Sequence, residues 1–372
     1  MSREATFTDE DRAFMERALL LAGRGRGRTS PNPIVGAVIV NDGVVAGQGA
    51  HLAAGTPHAE VHAIADAGGR SQGATLYCTL EPCAHQGRTP PCAPQVAAAG
   101  ITRAVIAMID PNPKVAGRGI DALRASGVRV DVGLLEDEAR RANAPFVTWI
   151  TRGRPHVTLK FAQSADGFVA RTPGSSVPPA GRTKLTGGAM DRLMHQQRAE
   201  VDAIAVGADT LLLDDPMLTP RGAFRERPLT RIVIDWRLRC AGDRALYRTR
   251  SIGPVLLFTA HAARASAPAA VADLEQRGVE IIGLDERDLS GMLRILGARA
   301  ITSLLVEGGP TLQDALASAG LADRLQRIVT PEILGDGVRM PALLALEGQL
   351  GETIETSAGR DTLLEADVYR TD

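Results

Sequence analysis

Cysteine is scarce in this chain, with four in 372 residues: Cys78, Cys83, Cys92 and Cys240. That excludes a disulfide-built secreted scaffold, and a chain of this length buries cores without such staples. An excess of one charge is missing too. Against 42 Lys and Arg stand 43 Asp and Glu, a formal charge of −1, so there is no global basic field of the kind that holds nucleic acid non-specifically. No apolar run approaches the about 18 residues that a membrane helix needs. The opening "MSREATFTDEDRAFMERALLLAG" has charges on both sides of a short apolar stretch and no small-residue cleavage site. The expectation is a soluble, cytoplasmic protein with neither nucleic-acid nor membrane partners. No segment repeats with a period of roughly 20 to 50 residues, which excludes a solenoid. No G-x-G-x-x-G follows a strand, so a Rossmann dinucleotide site has no support. In a reducing compartment, closely spaced thiols point to a metal or to catalysis.

The length predicts two domains. Thr8 is placed to cap a first helix, with Asp9, Glu10 and Asp11 in its first turn and Phe14, Ala18 and Leu21 on one face. "GRGRGRTSPNP" ends that helix and reads as a solvated loop. "IVGAVIV", the turn signal "NDG" and "VVAGQGA" predict a hairpin. Helices then alternate with strands: "PHAEVHAIADAG", "ATLYCTL", "PQVAAAG", "RAVIAMI", "GIDALRASG" and "VRVDVG". That alternation predicts an α/β fold with a largely parallel sheet. A single helix is expected over "EDEARRANAPFVTWITRG", followed by a polar boundary at "TRGRP", so domains of 1–149 and 150–372 are predicted. The second half reads as another α/β domain, with strands such as "VDAIAVGADT", "LTRIVIDW", "GPVLLFTA" and "ITSLLVEGG".

The stretch "LEPCAHQGRTPPC" places Cys83 and Cys92 at the ends of a segment that can be neither helix nor strand. Two thiolates and one imidazole form a favourable catalytic Zn²⁺ site, which keeps its fourth position for water. His58, Cys83 and Cys92 give that count, and Glu60 is the candidate to carry protons. His58-Ala59-Glu60 with Pro82-Cys83 matches the H-x-E and P-C signature of the zinc nucleobase deaminases. Eight residues instead of two separate the cysteines. Rival readings remain: His85 completing a closed Cys2His2 structural site, or a His58/His62 zincin pair, although Glu60 stands in the wrong place for the latter. Ideal helical spacing would not put His58 and Glu60 on one face, so an irregular helix start is required. Cys78 and Cys240 read as core residues.

With "PNPIVGAVIV", "HAEVHA" and "DPNPKVAGRG", the long cysteine loop resembles the deaminase half of the bifunctional riboflavin-biosynthesis deaminase/reductases. "LKFAQSADG", "GADTLLLDDPMLTPR", "RIVID" and "LLVEGGPTLQDAL" resemble the reductase half. The resemblance implies a cytidine-deaminase-like three-layer domain followed by a dihydrofolate-reductase-like domain. It implies Zn²⁺ and NADPH as cofactors, a pyrimidine ribonucleotide as substrate, and a homo-oligomer, dimer or tetramer. It places Asn32, His51, His85 and Arg88 around the pyrimidine nucleotide, Arg88 as a phosphate partner.

In the second half, Gly308 and Gly309 precede a helix opened by Pro310, a candidate phosphate cradle. The resemblance implies Lys160 near the reacting carbon and Arg182, Arg198, Leu218, Arg221 and Glu307 on the substrate side. It implies Gln163, Lys184, Thr210, Asp214, Trp236 and the run Gly309, Pro310, Thr311, Leu312, Gln313, Asp314 and Ala315 on the cofactor side. Three residues depart from the family pattern: Arg182 and Lys184 in an altered loop, and Trp236 where a small polar residue is common. These departures leave a deaminase with an impaired reductase as an alternative. A nucleic-acid base deaminase and a non-enzymatic zinc module are the rivals from other classes.

Overall fold

A computed structural model describes residues 7–369 except 88, 114, 172–183, 286, 342–345 and 347. The backbone divides into two compact units at the Gly153–Arg154 link, inside the "TRGRP" segment. In the first unit, helix α1 (Asp9–Ala22) opens with Thr8 as its cap: Asp11 N–H donates to Thr8 Oγ1 and Thr8 N–H donates back to the Asp11 carboxylate. Asp11 has a second role. It is buried and receives Arg103 and the Tyr77 hydroxyl, tying α1 to the sheet.

Strands β1 (Gly36–Asn41) and β2 (Val44–Ala50) form the expected hairpin. Asp42 and Gly43 both have positive φ, 49° and 75°, as a two-residue turn matching the strand twist requires. Then follow α2 (Ala59–Ala67), β3 (Thr75–Cys78), α3 (Cys92–Ala98), β4 (Arg103–Ile106), α4 (Arg118–Ala125) and β5 (Arg129–Val132). The sheet order is β2-β1-β3-β4-β5, with β1 antiparallel to both neighbours and the other pairs parallel. It is therefore mixed, because a hairpin supplies its first two strands. Helix α2 lies directly on β2. Ala59, Ala63 and Ala67 are buried along one side of it, and a methyl added to Gly47 or Gly49 would come 2.3 Å from the Ala63 or Ala59 carbonyl oxygen.

The single helix expected before the boundary is two, α5 (Glu136–Ala142) and α6 (Ala144–Arg152). Asn143 breaks it: its buried amide accepts from Ile34 N–H at 2.8 Å and donates to Ile34 C=O at 3.0 Å. This long-range pairing holds Asn143 off helical geometry, and Pro145 follows in the first turn of α6.

The second unit starts with β6 (His156–Gln163), α7 (Gly188–Glu200), β7 (Ala203–Gly207) and α8 (Ala208–Asp214). The expected strand "VDAIAVGADT" therefore stops at Gly207, and its last residues open a helix. Next come β8 (Thr230–Ile234), α9 (Ala245–Arg248), β9 (Val255–Ala260), α10 (His261–Ser266), α11 (Pro268–Gln276) and β10 (Val279–Leu284). The unit closes with α12 (Leu289–Ala298), β11 (Ser303–Glu307), α13 (Pro310–Ser318), β12 (Arg324–Val329), β13 (Ile354–Ala358) and β14 (Asp361–Asp367). The sheet order is β10-β9-β8-β7-β11-β6-β12-β14-β13, parallel through β12 and antiparallel in the last two pairs. Among the described residues, no helix is long and apolar enough to cross a membrane.

At the start of β6, burial pushes the His156 imidazole down to about 4 from its ordinary 6.5. The unfolded chain then takes up a proton that the folded chain refuses. Stability conferred by the neutral ring is present above pH 6.5 and is lost as pH falls towards 4, to the extent of about 3 kcal/mol. Urea midpoints of wild type and His156→Gln, followed from pH 7 to pH 4, are expected to show the shallower slope in the variant.

Candidate active sites

His58 is the residue that caps α2, and it is extended (φ −76°, ψ 168°), not helical. This supplies the irregular start that the H-x-E spacing needs, because the helical rule applies only from Ala59 onward. Glu60 then lies in the first turn of α2, 3% exposed, with its carboxylate against the Cys92 thiol. Cys92 opens α3, and Cys83 stands on the loop before it. The cysteines meet through the loop backbone as well: Cys92 N–H donates to Cys83 Sγ at 3.4 Å.

The His58, Cys83 and Cys92 ligand atoms lie within 4.8 Å of one another. His58 Nδ1 is 3.6 Å from Cys83 Sγ and 3.3 Å from Cys92 Sγ. Tetrahedral zinc, with bonds of about 2.3 Å to sulfur and 2.0 Å to nitrogen, sets neighbouring ligand atoms roughly 3.6 Å apart. The trio fits zinc. His58 Nε2 lies 3.4 Å from Thr89 Oγ1, an outer partner that fixes the ring. The Cys92 hydrogen bond and His58 pull the Cys83 thiol down to about 4, whereas its bond to Cys83 and burial push Cys92 up. Burial also pushes the Glu60 carboxyl up, which suits a group that must hold a proton.

Among the described residues no fourth His, Cys, Asp or Glu joins the trio, so a closed Cys2His2 site has no support. His85 is exposed on the cysteine loop. His62 stays outside the cluster with a buried, unpartnered Nε2, which removes the zincin pair. His51 is 2% exposed, packs edge-on against His58 at 5.1 Å between ring centroids, and has Nε2 3.4 Å from Asn32 Nδ2. Asn32 and His51 are thus together beside the zinc ligands. Arg88 lies outside the described residues. Cys78 and Cys240 are fully buried, as core residues.

Sequence reasoning missed Glu81. Its buried carboxylate accepts four backbone N–H bonds: Gly119 at 2.7 Å, Gly117 at 3.0 Å, and Asp110 and Ile120 at 3.2 Å. It pins Asp110, Gly117 and the first turn of α4, and stands two residues before the ligand Cys83. The only signal in the sequence was an acidic residue in an otherwise apolar strand end, "TLEPC". Glu81→Ala strands four donors at once and is expected to cost roughly 2 to 4 kcal/mol. Thermal unfolding should register that loss in full and a smaller one for Glu81→Gln, which keeps one acceptor oxygen.

In the second unit, a cavity of about 1970 Å³ opens at the C-terminal ends of the parallel strands, where open α/β sheets bind ligands. Lys160, Lys184, Thr210, Asp214, Trp236 and the backbone from Gly309 to Leu312 with Ala315 line it, as do Arg198, Leu218, Arg221 and Glu307. Gly308 is left-handed (φ 113°), and a side chain there would strike Thr210 Oγ1, which receives Gly309 N–H at 3.1 Å. Gln163 and Asp314 do not line the cavity. Gln313 does not either: it is fully buried and its amide donates to the Lys160 and Gly308 carbonyls at 2.9 and 3.0 Å. It acts beneath the cavity floor, tying β6 to the turn after β11. Lys184 pairs with Asp191 at 3.0 Å, and Arg182 lies outside the described residues.

Arg198 and Glu307 form a bidentate pair, Nη2 to Oε2 at 2.5 Å and Nε to Oε1 at 3.0 Å. Burial raises the Glu307 carboxyl, but Lys160 and Arg198 outweigh it and hold the group at about 2. A cationic Lys160 therefore sits beside a carboxylate already matched by an arginine.

Comparison with known proteins agrees with both halves. Residues 8–108 match the cytidine and deoxycytidylate deaminase zinc-binding region, and residues 155–357 match the RibD C-terminal domain. The RibD protein of Aquifex aeolicus is 39% identical over 328 residues, 88% of this chain and 89% of that protein. RibD of Escherichia coli is 39% identical over 345 residues, 89% and 90% of the two chains. Among solved structures, Acinetobacter baumannii RibD superposes with a TM-score of 0.81 at 33% identity, covering 97% of this chain and 99% of that one. A Thermotoga maritima diaminohydroxyphosphoribosylaminopyrimidine deaminase/5-amino-6-(5-phosphoribosylamino)uracil reductase gives 0.81 at 32%, covering 96% and 99%. Fold and site together define a bifunctional enzyme, a zinc-binding hydrolytic deaminase domain followed by a reductase domain. The chain belongs to the RibD family of riboflavin-biosynthesis deaminase/reductases.

Proposed function

We propose that the first domain, 1–149, deaminates 2,5-diamino-6-(ribosylamino)pyrimidinone 5′-phosphate, and that the second, 150–372, reduces the ribosyl group of the product to ribityl. The observation that carries this reading is the open His58, Cys83, Cys92 trio with a buried Glu60 carboxyl against it. Zinc, when bound by these three, supplies the Lewis acidity that makes water nucleophilic near neutral pH. Glu60 accepts the proton of the attacking water and returns it to the departing amine, so water is consumed and ammonia released. Asn32 and His51 orient the ring, and His85 and Arg88 stand on the substrate side.

NADPH, when bound in the second domain, would supply the hydride that reduces the ribosyl C1′ of the ring-opened imine, with the imine nitrogen taking a proton from solvent. Thr210, Asp214, Trp236, Lys184 and the run from Gly309 to Leu312 with Ala315 form the cofactor side, and Gln313 holds the floor beneath them. Lys160, beside the Glu307 carboxylate, faces the reacting carbon. Leu218, Arg221 and Arg182 bound the substrate side. We place the protein in the cytoplasm as a homo-oligomer, dimer or tetramer, without a nucleic-acid partner.

The test is NADPH oxidation by purified protein given the diaminopyrimidine ribonucleotide, with ammonia measured in parallel. Both signals support the reading. Ammonia without NADPH oxidation would leave a deaminase alone, and no ammonia would sink the proposal.

A further inference from the structure

Strand β6 brings Lys160, Phe161 and Ala162 to the cavity, and after a tight turn the chain returns to it with Val169, Ala170 and Arg171. Val338, from the segment that follows β12, continues the same wall. The two segments meet through their backbones. Val169 N–H donates to the Val338 carbonyl, Val338 N–H to the Ala170 carbonyl and Ala165 N–H to the Glu332 carbonyl, each at 2.8 Å. At Gly337 they come so close that an added Cβ would lie 2.2 Å from the Ala170 carbonyl oxygen.

One side chain joins both segments. Asp166 Oδ1 accepts from the Ser164 hydroxyl at 2.6 Å and from Leu334 N–H at 3.1 Å, and Oδ2 accepts from Gly335 N–H at 2.7 Å. Ser164 is fully buried, and its Oγ also accepts from Phe168 N–H at 3.0 Å, so the carboxylate is tied to its own turn as well as to the opposite segment. The Ser164 hydroxyl foremost, with the Gly335 and Leu334 N–H groups, holds the Asp166 carboxyl at about 2. It is ionised throughout the neutral range, and all three bonds are charge-assisted. Arg339 adds a weaker tie, 4.4 Å over the Phe168 ring. Asp166 itself does not line the cavity.

We infer that Asp166 is a positioning residue of the reduction step: by pinning the Leu334–Gly335 backbone it sets Val169, Ala170 and Val338 as a fixed wall that continues the Lys160 side of the cavity. This rests on the reading that the second domain reduces the ribosyl group. Displacing such a wall by about 1 Å misaligns the reacting groups and costs up to about a hundredfold in rate. In the sequence, "QSADG" offers no such role, because an aspartate before a glycine is ordinary turn chemistry.

The clamp and its effect are measured separately on the full-length, zinc-loaded enzyme. In hydrogen exchange without ligand, the amides of Leu334, Gly335 and Val338 should exchange faster in Asp166→Ala than in wild type. With the deaminated ribonucleotide, Asp166→Ala should lower kcat for NADPH oxidation about ten- to a hundredfold while KM changes less than about threefold and ammonia release stays normal. Asp166→Asn, whose Oδ1 still accepts from Ser164 and Leu334, should recover much of that loss. Gly337→Ala, which disturbs the same wall without touching Asp166, should lower kcat in the same way. Wild-type kcat in Asp166→Ala would overturn the inference, as would unchanged amide exchange, a loss that Asp166→Asn does not relieve, or an equal fall in ammonia release, which marks a defect of folding. A wild type that oxidises no NADPH would overturn the reduction reading and the inference with it, and the exchange data tell that case from a failed clamp.

Discussion

Glu60→Gln is expected to lower ammonia release by at least about a hundredfold, the usual worth of a positioned general acid–base group. Zinc content should stay at the wild-type level, because Glu60 is not among the three ligand residues. The fold should also survive: glutamine has nearly the same volume, and the position is buried at 3% exposure. NADPH oxidation with the already deaminated ribonucleotide should be unaffected, since that chemistry uses residues of the second unit. Metal analysis, ammonia release and NADPH oxidation on one preparation distinguish the outcomes. Normal ammonia release with normal zinc would remove Glu60 from the mechanism, and loss of zinc would make it a structural residue.

Glu307→Ala is the second large effect. It leaves Arg198, 14% exposed in the pair, without its counter-charge, a change that costs about 3 kcal/mol or more when a buried partner is removed. It also removes the negative charge beside Lys160 at the cavity wall, so NADPH oxidation should be lost even where the variant is folded. The control is the double variant Arg198→Met/Glu307→Leu. Replacing both ions by apolar groups should restore most of the denaturation midpoint and none of the reduction. A double variant that oxidises NADPH normally would show that the pair is only structural, and a stable Glu307→Ala would contradict the burial argument.

Local signals were readable in the sequence because they are short-range. Thr8 and Asp11 cap α1 from three residues apart, Asp42-Gly43 sets the hairpin, and the order of strands and helices follows from alternating apolar patterns. His58, Cys83 and Cys92 were recognisable because zinc constrains residue types more tightly than spacing. What could not be read was the choice of distant partners. Asn143 breaks a helix because of Ile34, 109 residues away, and Glu81 gathers backbone donors from 29 to 39 residues on. Gln313, read on the cofactor side, faces the floor because two strand-end carbonyls there need a donor. Periodicity cannot tell an inward amide from a ligand-facing one on a first helical turn. The Arg198–Glu307 pair joins residues 109 apart, and no spacing rule links them.

The contact of α2 with β2 has a genetic consequence. The helix that carries Glu60 and is capped by His58 rests on strand backbone where Gly47 and Gly49 provide no side chain. One added methyl at either glycine must lift the helix, and the proton carrier with it, while every zinc-binding residue keeps its identity. An organism bearing Gly49→Ala would carry a deaminase-null allele that a survey of catalytic residues passes as wild type, and its compensating mutations would be sought among the alanines of the helix above.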